Sequence, residues 1–119
     1  MNVEEFRTYC LNFPYCSEVF PFDEVTLSFK IFDEKIFAIL PLDTPDRANL
    51  KCDPEKAIVY REQYGAVQPG FHMNKKHWNT VFFNQDLSDE EIKKMIQHSY
   101  ELVWNKLPLK LRKNGRTNR

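Results

Sequence analysis

The residue types best able to do chemistry are gathered in one stretch of the chain. Residues 69–80 read Pro-Gly-Phe-His-Met-Asn-Lys-Lys-His-Trp-Asn-Thr. Cations, imidazoles, amides and an indole are thereby crowded between two short apolar runs that pattern as strands of a hairpin. Lys75 and Lys76 at its tip can reach phosphate oxygens, while Asn74, His72 and His77 can hydrogen-bond to phosphates or to base edges. Trp78 can stack on an unpaired base, although an aromatic of that size is more often a buried anchor. Arg61, on the helix that precedes this segment, and the basic residues Lys110, Arg112, Lys113, Arg116 and Arg119 can widen the same cationic footprint.

Other chemistries find less support. His72 and His77 can face one another across the hairpin with His98 brought in by the fold, but no cysteine stands near them to complete a closed zinc site. No metal or other cofactor is expected. Cys10, Cys16 and Cys52 form no C-x-x-C pair and sit beside apolar or strand residues, as buried, unreactive thiols do. The adjacent acids Asp23-Glu24, Asp33-Glu34 and Asp89-Glu90-Glu91 fall where turns and helix starts want them. No serine stands in a G-x-S-x-G context. With 3 glycines in all, a phosphate-cradling glycine loop cannot be built. The residues call for binding rather than catalysis.

The 119 residues carry 17 Lys+Arg and 17 Asp+Glu, a neutral balance that conceals an asymmetry. Residues 1–60 hold 6 basic and 11 acidic side chains, whereas residues 61–119 hold 11 basic and 6 acidic. A polarised chain can offer a positive face to an anion at zero net charge, although the total is less basic than that of a dedicated nucleic-acid-binding domain. Length, odd cysteine count, short apolar runs and the lack of a signal-peptide pattern lead to the expectation of a single cytoplasmic domain over residues 1–119 with no membrane segment.

The elements that must position these groups can be read from caps and periodicity. Asn2 with Glu5, and Ser88 with Glu91, have the spacing of capping boxes. Asp53-Pro54-Glu55 opens a helix with a capping acid and a proline in the first turn. Helices are therefore expected at about 3–11, 54–64 and 89–106, with Gly65 as a left-handed cap of the second. Residues 25–31 alternate with period two, a turn at Asp33-Glu34 follows, residues 36–42 return as a second strand, and further strands are expected at 17–22, 48–51, 67–73 and 77–83. The order α-β-β-β-β-α-β-β-α, with short connections, implies an α+β fold: an antiparallel sheet of five to six strands with helices on one face. Residues 109–119 are expected to be a basic tail, frayed at its end. Phe29, Ile31, Leu40, Ile96 and Val103 are expected in the core.

The run Asn49-Leu50-Lys51-Cys52-Asp53-Pro54, followed by His72-Met73-Asn74-Lys75-Lys76-His77-Trp78-Asn79-Thr80, closely resembles the signature segments of the MmcQ/YjbR family. His98-Ser99-Tyr100 and Leu107-Pro108 match as well. The resemblance covers nearly the whole chain. It implies a CyaY-like α+β fold and a DNA-binding role, with two hairpins acting as a double wing; it supplies no catalytic residues. The frataxin branch of that fold class holds iron on carboxylates of its first helix, where this chain offers only Glu4 and Glu5, so an iron role does not carry over. Two readings follow. One is a DNA-binding protein acting through Lys75, Lys76, His77, Asn74, His72 and Arg61. The other is a protein- or peptide-binding module using the sheet face or the aromatic edge at Phe20-Pro21-Phe22.

Overall fold

A computed structural model describes residues 1–117, and the side chains of residues 1–113. Helix α1 (Val3–Leu11) is followed by strands β1 (Cys16–Val19), β2 (Thr26–Ile31), β3 (Lys35–Pro41) and β4 (Arg47–Lys51). Then come helix α2 (Pro54–Gln63), strands β5 (Val67–Pro69) and β6 (Trp78–Phe82), and helices α3 (Asp89–Trp104) and α4 (Leu109–Thr117). The six strands form one sheet in the order β1-β2-β3-β4-β6-β5, every neighbouring pair antiparallel. The α+β architecture and the element order expected from the sequence are present, with one helix added at the end. Among the described residues no helix is long and apolar enough to cross a membrane.

The expected caps start the helices. Asn2 Oδ1 accepts from Glu5 N at 2.9 Å, Asp53 Oδ2 from Glu55 N and Lys56 N, and Ser88 Oγ from Glu91 N. Each supplies an acceptor to amides that have no partner within the first turn. On β2, Leu27, Phe29 and Ile31 turn to one face, and their partners on β3 include Leu40 and Ala38. Across this face lie Phe6 and Cys10 of α1 and Ile92, Ile96 and Val103 of α3, all sealed from solvent. The five residues expected in the core are buried.

Five sequence expectations need correction. Gly65 is not a left-handed cap: Tyr64 leaves α2 in extended geometry (φ −127°), and the Asp86 carboxylate captures the amides of Gly65 and Ala66 at 2.7 Å. The β2–β3 turn is centred on Phe32-Asp33 rather than Asp33-Glu34, both central residues being left-handed (φ 54° and 58°). That conformation suits the twist of a tight hairpin. Its cost for a bulky residue is offset by stacking of Phe32 on Tyr15, ring centroids 4.5 Å apart. Strand β1 stops at Val19, before Pro21, which has no amide to give a ladder. Strand β5 stops at Pro69 rather than Met73, because the Phe71 amide goes to Thr80 Oγ1 (2.8 Å) and His72 turns left-handed (φ 59°). Finally, α3 ends at Trp104, and the expected tail is helical to Thr117, the amides of Leu111 and Arg112 bonding to the Pro108 carbonyl. The fraying foreseen for the chain end falls on residues 118–119, outside the described residues, as do Arg119 and the side chain of Arg116.

Candidate functional site

Strand pleat decides what the sheet can show on its helix-free face. Ala48 and Leu50 of β4 point into the core, so Arg47, Asn49 and Lys51 must point the other way. Their partners on β6 are Phe82, Thr80 and Trp78, and Ile39 of β3 lies opposite Asn49. The loop after β5 folds back over this surface and brings Phe71, His72 and Met73 with it. The β1–β2 loop contributes Phe22 from the far side. Together they enclose a cleft of ≈ 580 Å³. Phe22 is 76% exposed at its rim.

The wall formed by residues 70–77 is braced rather than free. Arg61 Nε donates to Asn79 Oδ1 (2.7 Å), and its Nη2 donates to the carbonyls of Trp78 (3.3 Å) and Lys75. Lys75 Nζ donates to the Gly70 carbonyl at 2.8 Å, and Asn74 Oδ1 accepts from Lys76 N at 2.9 Å. Gly70 is packed so closely that a Cβ would meet Trp78 Cβ at 2.9 Å and Met73 Cβ at 3.1 Å. The sequence grouped Arg61, Asn74, Lys75 and Lys76 as contacts to an outside partner. Arg61, Asn74 and Lys75 are instead engaged in shaping their own hairpin, and the Lys76 ammonium alone of the four polar heads has no bond among the described residues. Trp78 is a buried anchor, 9% exposed, as its size suggested.

The histidines do not converge. His72 is at the cleft rim, and His77 immediately precedes β6, its carbonyl accepting from Cys52 N. His98 lies on the helix side, its Nε2 accepting from Asp53 N at 3.1 Å. Among the described residues, no three of His, Cys, Asp and Glu are placed to hold a metal ion. Burial raises all three thiols, Cys16 to about 12 and Cys52 to about 11, which keeps them protonated at neutral pH.

Burial, then the nearby Lys56, hold His98 below the usual imidazole range, and its acceptor role at the start of α2 requires the neutral ring. The unfolded chain therefore takes up a proton that the folded one resists, so stability falls as pH drops through the ordinary histidine range. The lowered carboxylates Glu18, Asp23, Asp46 and Asp86 act only further into acid. Urea unfolding at pH 7.5 and 5.5 is expected to show a loss for the natural chain that His98→Gln lacks. Equal losses in both would place the pH response elsewhere.

A second surface lies at one end of the sheet. Antiparallel register brings Lys35 (start of β3), Lys51 (end of β4) and the residues preceding Trp78 to the same end. The turn after α3 adds Lys106, and burial together with Lys106 and Lys35 lowers the Lys51 ammonium. No carboxylate pairs with Lys35, Lys51, Lys76 or Lys106 among the described residues. Sequence reading missed this set because Lys35, Lys51 and Lys106 are far apart in the chain. The cleft lies on the sheet face beside Phe22, the surface of the second reading, but the contacts expected from the sequence do not include its residues Arg47 and Asn49, although the alternation Arg47-Ala48-Asn49-Leu50-Lys51 already announces a polar face on β4.

Comparison with known proteins agrees with these signature segments. The YjbR family model matches residues 11–102. The chain belongs to the YjbR family. It is 30% identical over 113 residues to the uncharacterised protein YjbR of Escherichia coli K12, covering 95% of this chain and 96% of that protein. It is 31% identical over 100 residues to the uncharacterised protein YbdF of Escherichia coli O157:H7, covering 84% and 82%. The crystal structure of Deinococcus radiodurans DR2400, a DUF419 domain, superposes with a TM-score of 0.84 at 32% identity over 95% of this chain and 86% of that one. A Pseudomonas syringae protein superposes at 0.73 with 27% identity, covering 86% and 98%. In this YjbR-family chain, Asn49, His72, Met73 and Trp78 of these signature segments line the cleft on the open face.

Proposed function

We propose that the chain binds nucleic acid through backbone phosphates at the basic end of the sheet, with Lys35, Lys51, Lys76 and Lys106 as the contacts and His77 beside them. The observation that carries this reading is the crowding of Lys51 by Lys35 and Lys106 without a neutralising carboxylate. Like charges held together raise the free energy of the unliganded protein, and a phosphate relieves them. Such contacts are independent of base sequence and release counterions. The family resemblance points the same way.

Fluorescence anisotropy with a duplex of arbitrary sequence tests it. With four phosphate contacts, affinity is expected to fall about 150-fold between 50 and 200 mM salt, from a log–log slope of roughly −0.9 per contact. Lys51→Ala and Lys76→Ala should each flatten that slope by about 1 on every sequence. Glu4→Ala, on the opposite side of the charge distribution, should change little. Undetectable binding at low salt, or slopes unmoved by both lysine variants, would rule the reading out.

A second reading, a protein- or peptide-binding module on the open sheet face, is favoured by the exposed side chains Phe20, Phe22 and Val25 beside the cleft. Apolar side chains left in water at the edge of a concavity are a common mark of an interaction surface.

A further inference from the structure

The floor of the cleft holds donors that meet no acceptor among the described residues. The Thr80 hydroxyl accepts from Phe71 N at 2.8 Å, which directs its own proton to Asn49 Oδ1 at 2.6 Å. That bond fixes the carboxamide with its oxygen toward Thr80 and its NH₂ turned away. Asn49 is only 9% exposed, yet its NH₂ meets no acceptor among the described residues, and neither does the indole N–H of Trp78. Neither atom is shut off from solvent, and both residues line the cleft. Water can reach both donors, and a ligand that brings acceptor oxygens can take its place there while covering the apolar walls.

Charge and shape narrow the class. Arg47, Asn49 and Lys51 alternate along one face of β4, so a cation stands on either side of the amide. Lys51 has no carboxylate partner, and its Nζ lies 5.8 Å from the Trp78 ring centroid. Arg47 pairs with Asp46 at the surface and lies over the rings of Phe71 and Phe82 at 5.6 and 4.7 Å. Asp43 is the acid lining the cleft. The remaining walls are aromatic and aliphatic, and a volume of ≈ 580 Å³ suits a small organic molecule.

We propose that this cleft binds a small aromatic carboxylate, its carboxylate accepting from the Asn49 NH₂ between Arg47 and Lys51 and its ring lying against Trp78 and Phe22. The cleft borders the basic end and shares Lys51 with it, but Asn49 and Phe22 are not among the phosphate contacts, so variants at these two positions test the cleft alone and failure of one reading leaves the other standing.

The test titrates naphthalene-2-carboxylate into the full ¹⁵N-labelled chain and follows the Trp78 indole N–H and the Asn49 side-chain NH₂. Both resonances should shift in a saturable way. 2-Naphthylmethanol, with the same ring and no charge, should bind on the order of tenfold more weakly, as should the acid to Asn49→Asp, which keeps the acceptor for Thr80 and loses the donor. Phe22→Ala, at a solvent-exposed position that leaves the fold intact, should weaken binding several-fold and keeps the question answerable if Asn49→Asp unfolds. The proposal is overturned if these resonances do not move, if the alcohol binds as well as the acid, or if both variants bind like the natural chain. It is equally overturned if the capped peptide acetyl-Gly-Phe-Gly-amide binds more tightly than the acid, which would make the face a peptide surface.

Discussion

Replacing Phe6 with alanine is expected to cost about 3–5 kcal/mol of folding stability, the range for truncating a buried phenylalanine. Phe6 is fully enclosed, with ring centroids 6.1 Å from Phe29 and 5.7 Å from Phe83. It therefore joins α1 to β2 and to the turn after β6. Removing it deletes apolar surface and leaves a void, and the rigid sheet beneath gives the neighbours little room to close in. Since whole domains are stable by only about 5–15 kcal/mol, the variant should be close to unfolding at moderate urea. A shift in midpoint at unchanged slope is the expected readout. A loss under about 1 kcal/mol would mean that α1 packs more loosely than its burial says. Phe6 is on the helix side, so the folded fraction should retain whatever binding the open face has.

What the chain made readable beforehand follows from the range of each interaction. The caps Asn2, Asp53 and Ser88 act within three or so residues, and Leu27, Phe29 and Ile31 alternate within a single strand, so both were visible locally. The Phe32-Asp33 turn was misplaced because its left-handed geometry is supported by Tyr15 and Trp104, distant in sequence. Gly65 was misread for a similar reason: the Asp86 carboxylate, not glycine's freedom, manages the end of α2. Helix α4 is hard to read from its residues because Leu109 and Leu111 are its only apolar side chains and Gly115 lowers helix propensity.

The candidate site follows the same rule. The chemistry-bearing run at residues 72–80 is conspicuous, and His72, Met73 and Trp78 from it line the cleft. Its groups are bonded partly within the hairpin, through Asn74 and Lys75, and partly to Arg61 of α2, a partner distant in sequence. The stripe of Arg47, Asn49 and Lys51 needed the strand register before its face was known. Lys35 and Lys106 needed the whole topology.

Arg61 separates a bracing role from a binding role. Its guanidinium spans the Asn79 side chain and the carbonyls of Trp78 and Lys75, acceptors spread over one flank of the hairpin. A planar fork meets such an array, whereas a single ammonium head does not. Arg61→Ala is therefore expected to lower stability by about 2 kcal/mol, since bonds from a charged donor are worth roughly 1.5–3 kcal/mol and this side chain keeps some contact with water. Arg61→Lys should recover little of that loss. Released from the fork, residues 74–76 should exchange amide protons faster and the Trp78 fluorescence should shift to the red. On nucleic acid, both variants should reduce affinity with little change in salt slope, because the loop that carries Lys76 is loosened while the number of phosphate contacts stays the same. A phosphate contact at Arg61 would give the opposite pattern. Stability would be indifferent to alanine, lysine would restore binding, and alanine would flatten the slope by about 1. The urea midpoint and the salt slope, measured on the same two proteins, decide between a strut and a contact.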